Sequence, residues 1–193
     1  MPSPRSPACR AALLVLAALA LLAPRPAAAE DAPGAPTLQQ HFAAWTLGCY
    51  PPRPPTGPRL LEPEAQSTRQ ACQIEQPVRL ADQDKVAAVV RVRLLGPKRQ
   101  PFLLFVLPPN TDPKTGLSFA VGEQGDAEQV RIRNCTPREC VAARTLDEDL
   151  LERLGHAESL LIGFRPGGKS VAALLALAGF TEAYRALLAN DGR

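Results

Sequence analysis

Two cysteines, Cys135 and Cys140, are the residues of this sequence whose types and spacing best suit chemistry, and four residues, TPRE, separate them. Such a pair can be a redox centre, half of a metal site or a disulfide across a turn. A thioredoxin-type motif instead has two intervening residues at a helix N-terminus, where the helix dipole lowers a thiol pKa. Here Pro137 suits the second position of a type I turn, and the flanking segments VRIRNC and CVAARTL are typical of strands. The pattern favours a disulfide across a hairpin, with a redox pair and a metal site as alternatives.

The chain has five cysteines, and Cys9 lies in a segment that we expect to be removed. The four that remain are Cys49, Cys72, Cys135 and Cys140. They allow three pairings, of which the pairing of sequence neighbours, Cys49 with Cys72 and Cys135 with Cys140, is favoured. A zinc site would need further ligands at the same point, and the two histidines, His41 and His156, lack ligand spacing. We therefore predict structural disulfides, with no metal and no other cofactor.

The N-terminal segment has the pattern of a secretory signal peptide. Arg5 and Arg10 come first without an acid, then the apolar run AALLVLAALALLA, then the small residues Ala27 and Ala29 of a cleavage site. The run of 13 apolar residues is shorter than the about 20 that a membrane helix needs. We predict cleavage after Ala29, a periplasmic or secreted protein, and no stable membrane span after cleavage.

Removal of residues 1–29 changes the charge of the protein. The full chain has 22 lysines and arginines against 19 aspartates and glutamates, and the removed segment holds three arginines and no acid. The mature chain is therefore neutral, with 19 residues of each sign. A neutral domain lacks the basic surface that nucleic-acid binding requires, so we expect no nucleic-acid partner.

The mature chain has the length of a single domain. We predict a flexible lead-in at residues 30–41 and one disulfide-stapled β-sandwich domain at residues 42–190. Six prolines between positions 51 and 63 exclude a regular helix or central strand there, because proline fixes φ and lacks a backbone donor. We interpret residues 50–70 as a stiff, proline-rich loop whose ends Cys49 and Cys72 clamp.

Alternating apolar residues predict the strands. Every second residue from Val86 to Leu94 is apolar, which is typical of a half-buried strand. Further strands are expected at 43–50, 72–78, 101–108, in a hairpin around 122–126, and at 159–165; residues 170–178 are another strand or a buried apolar segment. This pattern predicts an all-β or β-rich α+β fold, built as an antiparallel β-sandwich.

Two helices accompany these strands, a short one near 147–154 and a C-terminal one near 181–189. Thr145 or Asp147 suits the N-cap of the first helix, acids fill its first turn, and Gly155 suits its end. The second helix has one apolar stripe that begins at Phe180, with Thr181 as its expected N-cap.

Several motifs follow one another in a fixed order along the chain. They are W-x-x-x-C at 45–49, CQIEQ at 72–76, the apolar run at 102–108, C-x4-C at 135–140 and LALAGFTEAY at 175–184. The ordered set resembles the invasion associated locus B family of exported bacterial proteins, over about Phe42 to Leu188. The resemblance implies a secreted or periplasmic β-rich domain, with the four cysteines in disulfides and Trp45 and Phe180 as structural core residues.

No catalytic motif is recognisable in the sequence. G-x-S-x-G, H-E-x-x-H and C-x-x-C are absent, and the acids at 147–149 are better explained as helix-capping groups. We predict no catalytic residue and a non-enzymatic protein that binds a protein or envelope partner, with a role in host-cell interaction or envelope function implied by the resemblance. The alternatives are a periplasmic thiol–disulfide oxidoreductase using Cys135 and Cys140, and an envelope assembly or stress factor acting through an exposed sheet edge.

Overall fold

Strands and two helices make up most of the described chain. The computed structural model describes residues 34–52, 70–80, 83–122 and 125–192. Within these ranges the strands are β1 (Leu38–Phe42), β2 (Trp45–Tyr50), β3 (Ala71–Leu80), β4 (Gln83–Leu95), β5 (Gln100–Leu107), β6 (Leu117–Val121), β7 (Glu128–Val130), β8 (Ile132–Cys135), β9 (Cys140–Thr145), β10 (Ser159–Phe164) and β11 (Val171–Ala176). The helices there are α1 (Glu148–His156) and α2 (Phe180–Asn190). The prediction of a β-rich fold with one short and one C-terminal helix is confirmed.

The strands form two antiparallel sheets. The order in the larger sheet is β1-β2-β3-β4-β5-β9-β8, and in the smaller sheet it is β11-β10-β6-β7. The chain passes from the smaller to the larger sheet at Arg131, between β7 and β8. Strand β11 contacts β3 and β7 contacts β9, so the smaller sheet packs over part of the larger one. This arrangement is the predicted β-sandwich.

The apolar faces of the two sheets meet in the core. Val90 of β4 and Phe105 of β5 are fully buried, and the ring of Phe105 lies 5.5 Å from that of Phe119 in the opposite sheet, measured between centroids. Val86 was predicted to continue the buried stripe of β4, but it is 40% exposed. The reason is a register shift beside Val78, after which Val86 pairs with Arg79, since a one-residue slip turns a side chain to the other face of a sheet.

Helix α2 covers the part of the larger sheet that the smaller sheet leaves open, because it contacts β1, β2 and β3. Its N-cap is Gly179, with φ +83°, and the helix begins at Phe180. The expectation that Thr181 caps this helix was therefore wrong, since Thr181 lies inside its first turn. A Cβ at position 179 would overlap the carbonyl oxygen of Phe42, so a close approach to the β1–β2 turn selects glycine at the cap position.

Strand β1 occupies residues that the sequence analysis assigned to the lead-in. Leu38–Phe42 pairs with β2 in a hairpin, with Leu38 opposite Cys49 and Phe42 opposite Trp45. The three residues between its ends are exposed and polar. The segment therefore carries no apolar alternation, and its pairing with β2 makes it a strand.

Helix α1 begins after Asp147, whose side chain accepts a backbone N–H group that has no acceptor within the helix. Asp147 is its N-cap, and Oδ1 of Asp147 accepts the backbone N–H of Leu150 at 3.0 Å. Leu150 and Leu154 form its buried stripe. Gly155 was expected to end the helix, but the helix continues to His156. The chain leaves the helix at Ala157 in an extended conformation, so no glycine in the left-handed conformation is needed there.

The predicted signal peptide at 1–29 and most of the proline-rich loop at 50–70 lie outside the described residues. The described residues from Gly34 onward belong to one compact unit. No helix in the described ranges is long and apolar enough to cross a membrane.

Candidate functional site

The cysteine hairpin that the sequence singled out is formed by β8 and β9. Cys135 pairs with Cys140 across the two strands, and their sulfurs are bonded, with the Cα atoms 4.0 Å apart. The turn is closed by the N–H of Thr136, which donates to the carbonyl oxygen of Glu139 at 2.8 Å. The hydroxyl oxygen of Thr136 accepts the N–H groups of Arg138 and Glu139, both at 3.2 Å. These hydrogen bonds hold the turn together.

The two sulfurs of this hairpin have different surroundings. Cys135 is exposed, whereas Cys140 is fully buried, with its sulfur 3.6 Å from the carbonyl oxygen of Pro109. A thiolate is the nucleophile in thiol chemistry, and the bonded pair offers none. In this state the hairpin holds two strand ends together.

A second disulfide joins the strands on either side of the proline-rich segment. Cys49 of β2 lies directly opposite Cys72 of β3, their sulfurs are bonded, and the Cα atoms are 4.0 Å apart. Both residues are buried. Trp45 begins the same strand β2, and its ring meets that of Phe180 edge to face, with centroids 5.3 Å apart. The Cys49–Cys72 disulfide and this aromatic pair belong to the region beneath α2, and both members of the pair are only 1% exposed.

Metal ligands do not converge within the described residues. No group of three or more histidine, cysteine, aspartate or glutamate side chains there is arranged to hold an ion. Nδ1 of His41 lies 3.1 Å from the Thr46 hydroxyl at the exposed face of β1 and β2. His156 lies in the last turn of α1.

The acidic residues near α1 take part in a network of ion pairs. Glu128 of β7 bonds to Arg153 of α1 at 2.7 Å and to Arg144 of β9 at 3.3 Å. Arg144 also reaches Asp147 at 3.0 Å, and Arg153 reaches Asp149 at 3.1 Å. The network joins the edge of the smaller sheet to the larger sheet and to α1. We therefore assign it a structural role.

The ion pairs and the helix cap also lower the pKa values of two carboxyl groups, those of Glu128 and Asp147. The hydrogen bond from Arg153 lowers the pKa of Glu128, partial burial opposes this, and Arg144 lowers it further. The N–H of Leu150 is the main cause that lowers the pKa of Asp147. Both groups are thus held in the charged form, which suits pairing and capping and does not suit a proton donor near neutral pH.

Four of the described strands lie at sheet edges, and three of them carry features that discourage pairing with another chain. Strand β7 has only three residues and β8 has four, and each contains a charged residue, Glu128 and Arg133. The middle of β1 is polar, with two glutamines and a histidine. Short, polar or charged edges protect a sheet from unwanted strand addition.

The fourth edge strand, β11, lacks this protection. Its sequence VAALLA spans six residues without a charge, a proline or a break in register. Apart from its bonds to β10, no hydrogen bond to a backbone group of β11 is found in the described part of the chain. As far as the described residues show, the N–H and C=O groups on its outer side are therefore unpaired.

The outer face beside this edge is apolar. Leu174 of β11 and Leu161 of β10 lie opposite each other in register, and they are 57% and 39% exposed. Ala172 and Ala176 flank Leu174 on the same exposed face of the strand. We call β11 together with Leu161 the β11 edge surface.

The sequence predicts a strand or a buried apolar segment at residues 170–178, and its pattern does not mark this surface as exposed. Three of the six side chains of β11 are exposed, which an apolar run does not reveal. The absence of charge in VAALLA is also typical of a buried strand, so it does not identify an edge.

Comparisons with known proteins agree with the fold. A family model described as Invasion associated locus B protein matches residues 61–188. The crystal structure of invasion associated protein b from Bartonella henselae is similar, with a TM-score of 0.59 and 16% sequence identity, over 79% of this chain and 97% of that chain. At this identity the structural likeness concerns the fold alone. A comparison with curated proteins gave no match.

Proposed function

Because the chain belongs to the invasion associated locus B family, we propose that it is an exported, non-enzymatic protein that binds a partner protein at the bacterial envelope or in contact with a host cell. The signal-peptide pattern of residues 1–29 supports export. Two disulfides in a domain of this size support an oxidising compartment, the periplasm or the medium.

The observation that carries the binding role is the β11 edge surface. A partner segment in extended conformation can add to such an edge by backbone hydrogen bonds, while neighbouring pockets and side chains select its sequence. Leu161 and Leu174 would contact apolar side chains of the added strand. Strand addition needs no charge on either partner, which suits a mature chain with equal numbers of acidic and basic residues.

A photo-crosslinking experiment tests this binding site in the full chain. A photoreactive amino acid is placed at Leu174 of β11 or, as the matched control, at Leu188 of α2, which is 49% exposed. We expect a partner adduct from position 174 that position 188 does not give, and we expect Leu174→Lys to reduce partner capture. The same adducts from both positions, or none from position 174, would reject the β11 edge surface as the binding site.

The identity of the captured partner distinguishes a role at the bacterial envelope from a role in contact with a host cell. A bacterial protein captured from periplasmic extract supports an envelope assembly or stress role, and a host protein supports host-cell interaction. Fractionation into periplasm, outer membrane and medium locates the mature protein. Its N-terminus is expected at Glu30, and a mature protein that keeps residues 1–29 would contradict export by signal cleavage.

One observation favours a second candidate, a thiol–disulfide oxidoreductase. Cys135 is exposed while its partner Cys140 is buried, so an external thiolate has access to one sulfur only. An insulin reduction assay, with Cys135→Ser as the control, decides between an oxidoreductase and a structural disulfide. Catalysed reduction that the variant abolishes would establish the oxidoreductase, and a rate equal to that of buffer would leave the bond structural.

A further inference from the structure

A cavity of about 300 Å³ lies at one end of the smaller sheet, and its described lining includes neither the hairpin cysteines nor Leu174. All four strands of that sheet contribute to it, through Ser118 of β6, Gln129 of β7, Gly163 of β10 and Val171 of β11. Its volume is at the lower limit of ligand sites in proteins, which bind small molecules or parts of larger ones.

Glycine keeps the floor of this cavity open. A Cβ at Gly163 would lie 2.7 Å from the hydroxyl oxygen of Ser118, too close for an unstrained contact. Among the described residues, the Ser118 hydroxyl has one hydrogen bond, a long one of 3.4 Å that it donates to the carbonyl oxygen of Gly163. That weak bond leaves the hydroxyl able to donate to a ligand.

The electrostatics of the cavity favour an anion. None of the described lining residues is acidic, and Arg165 forms no ion pair with any described residue. Asp112 meets Arg165 only through its backbone N–H, which donates to the Arg165 carbonyl oxygen at 3.1 Å. The Oδ1 atom of Asp112 accepts the N–H of Lys114 instead. The exposed guanidinium therefore has no acidic partner within the described part of the molecule.

We propose that this cavity binds a carboxylate group. Arg165 would supply charge-assisted hydrogen bonds, and the hydroxyls of Ser118 and Ser170 and the amide of Gln129 would supply neutral donors. A planar guanidinium matches the two oxygens of a carboxylate. The carboxylate belongs either to a free small acid or to the C-terminus of a peptide. The cavity shares Val171 with β11, but neither Leu161 nor Leu174 lines it. The two proposals are tested with different variants, so either can fail alone.

Titration followed by heteronuclear NMR tests the proposal on the mature protein, with succinate, the dipeptide Ala-Ala and its C-terminal amide as probes. We expect saturable shifts at Ser118, Gln129 and Gly163 with succinate or Ala-Ala, and none with the amide. Binding of Ala-Ala alone identifies a peptide terminus as the source, and binding of succinate alone identifies a free acid.

Two variants make the test specific. Arg165→Gln is expected to weaken binding about tenfold or more, because it removes the charged partner. Arg138→Gln, at the exposed cysteine hairpin, is the control and should bind as the unchanged protein does. Thermal unfolding checks that both variants are folded. Unaltered affinity in Arg165→Gln, binding of the amide as tight as that of the free dipeptide, or no saturable shift with any probe would overturn the proposal.

Discussion

Oδ1 of Asp191 accepts the backbone N–H of Cys72 at 2.7 Å, across 119 positions of the sequence. Asp191 is the C-cap of α2, and Cys72 carries the disulfide to β2. The same aspartate forms an ion pair with Arg99 at 2.8 Å, and the next residue donates its N–H to the carbonyl oxygen of Gln70 at 3.0 Å. The end of α2 is thereby fixed to the strand that follows the proline-rich segment.

Replacement of Asp191 by alanine should lower the free energy of unfolding by about 2 kcal/mol, because a hydrogen bond to a charged acceptor is lost and a backbone N–H is left without a partner. Urea denaturation measures the change. Arg99→Gln is the matched control, and it should cost less than about 1 kcal/mol, since its ion pair is at the surface. Equal losses in the two variants would show that the ion pair, and not the bond to Cys72, stabilises this junction.

The two disulfides should contribute unequally to stability. Replacing both Cys49 and Cys72 by serine should cost about 3.5 kcal/mol, and replacing Cys135 and Cys140 about 2 kcal/mol, because the longer closed loop restricts the unfolded chain more. Their sequence separations are 23 and 5 residues. Denaturant unfolding of both double variants shows which disulfide contributes more to stability. Thiol titration of the unchanged, exported protein should find no free thiol. A larger loss from the short loop, or free thiols in the folded protein, would contradict this account.

Local patterns made the core strands and α1 predictable. The period-two run in β4 marks a buried face because alternate residues of a strand point to opposite sides, and Asp147 lies where a cap side chain is needed. Strand β1 was not predictable in this way, since Gln39, Gln40 and His41 show no alternation. Its conformation depends on pairing with β2, which is a property of the tertiary structure.

The candidate site was less predictable than the fold, for a similar reason. That β11 is an edge follows from the order of pairing, in which β11 joins β10 and β10 joins β6. The sequence of residues 171–176 is equally compatible with an edge strand and with a central strand. The cavity beside Arg165 likewise assembles residues from four strands and two connecting segments, so no short motif could reveal it.

The aromatic contact between Trp45 and Phe180 should account for much of the attachment of α2. Phe180→Ala should cost about 3–5 kcal/mol, because it leaves a cavity at a fully buried position, and Phe180→Leu should cost less. Trp45 is the single tryptophan of the chain, so its fluorescence reports unfolding directly. Leu188→Ala, on the exposed side of the same helix, is the control and should change stability little. A small loss from Phe180→Ala would indicate that α2 is held mainly by other contacts.

Gly179 should tolerate alanine less well than another glycine with the same backbone conformation. Gly179 has φ +83° and Gly168 has φ +79°, but a Cβ meets the carbonyl oxygen of Phe42 at the first position and nothing within 4 Å at the second. Gly168→Ala therefore measures the conformational cost alone, about 1 kcal/mol. Gly179→Ala adds the clash and should lower the thermal midpoint clearly further. Equal midpoints for the two variants would mean that the β1–β2 turn moves aside without cost.

Acid should weaken the fold through Glu128. The pKa of this carboxyl is lower in the folded protein than its ordinary value of 4.5, chiefly because of the hydrogen bond from Arg153. A group with a lowered folded pKa stabilises the protein above its unfolded pKa, and that stabilisation is lost as the pH falls from about 4.5 through the folded pKa. Glu128→Gln should therefore cost about 1 kcal/mol at pH 7, the upper range for pairs of this exposure, and should flatten the decline in stability below pH 4.5. Glu152→Gln is the control, because Glu152 is exposed on α1 and forms no ion pair in the described ranges. Denaturant unfolding between pH 3 and 7 compares the stability of the three proteins. If the stability of Glu128→Gln falls with pH as steeply as that of the unchanged protein, the ion-pair network does not set the acid sensitivity of the fold.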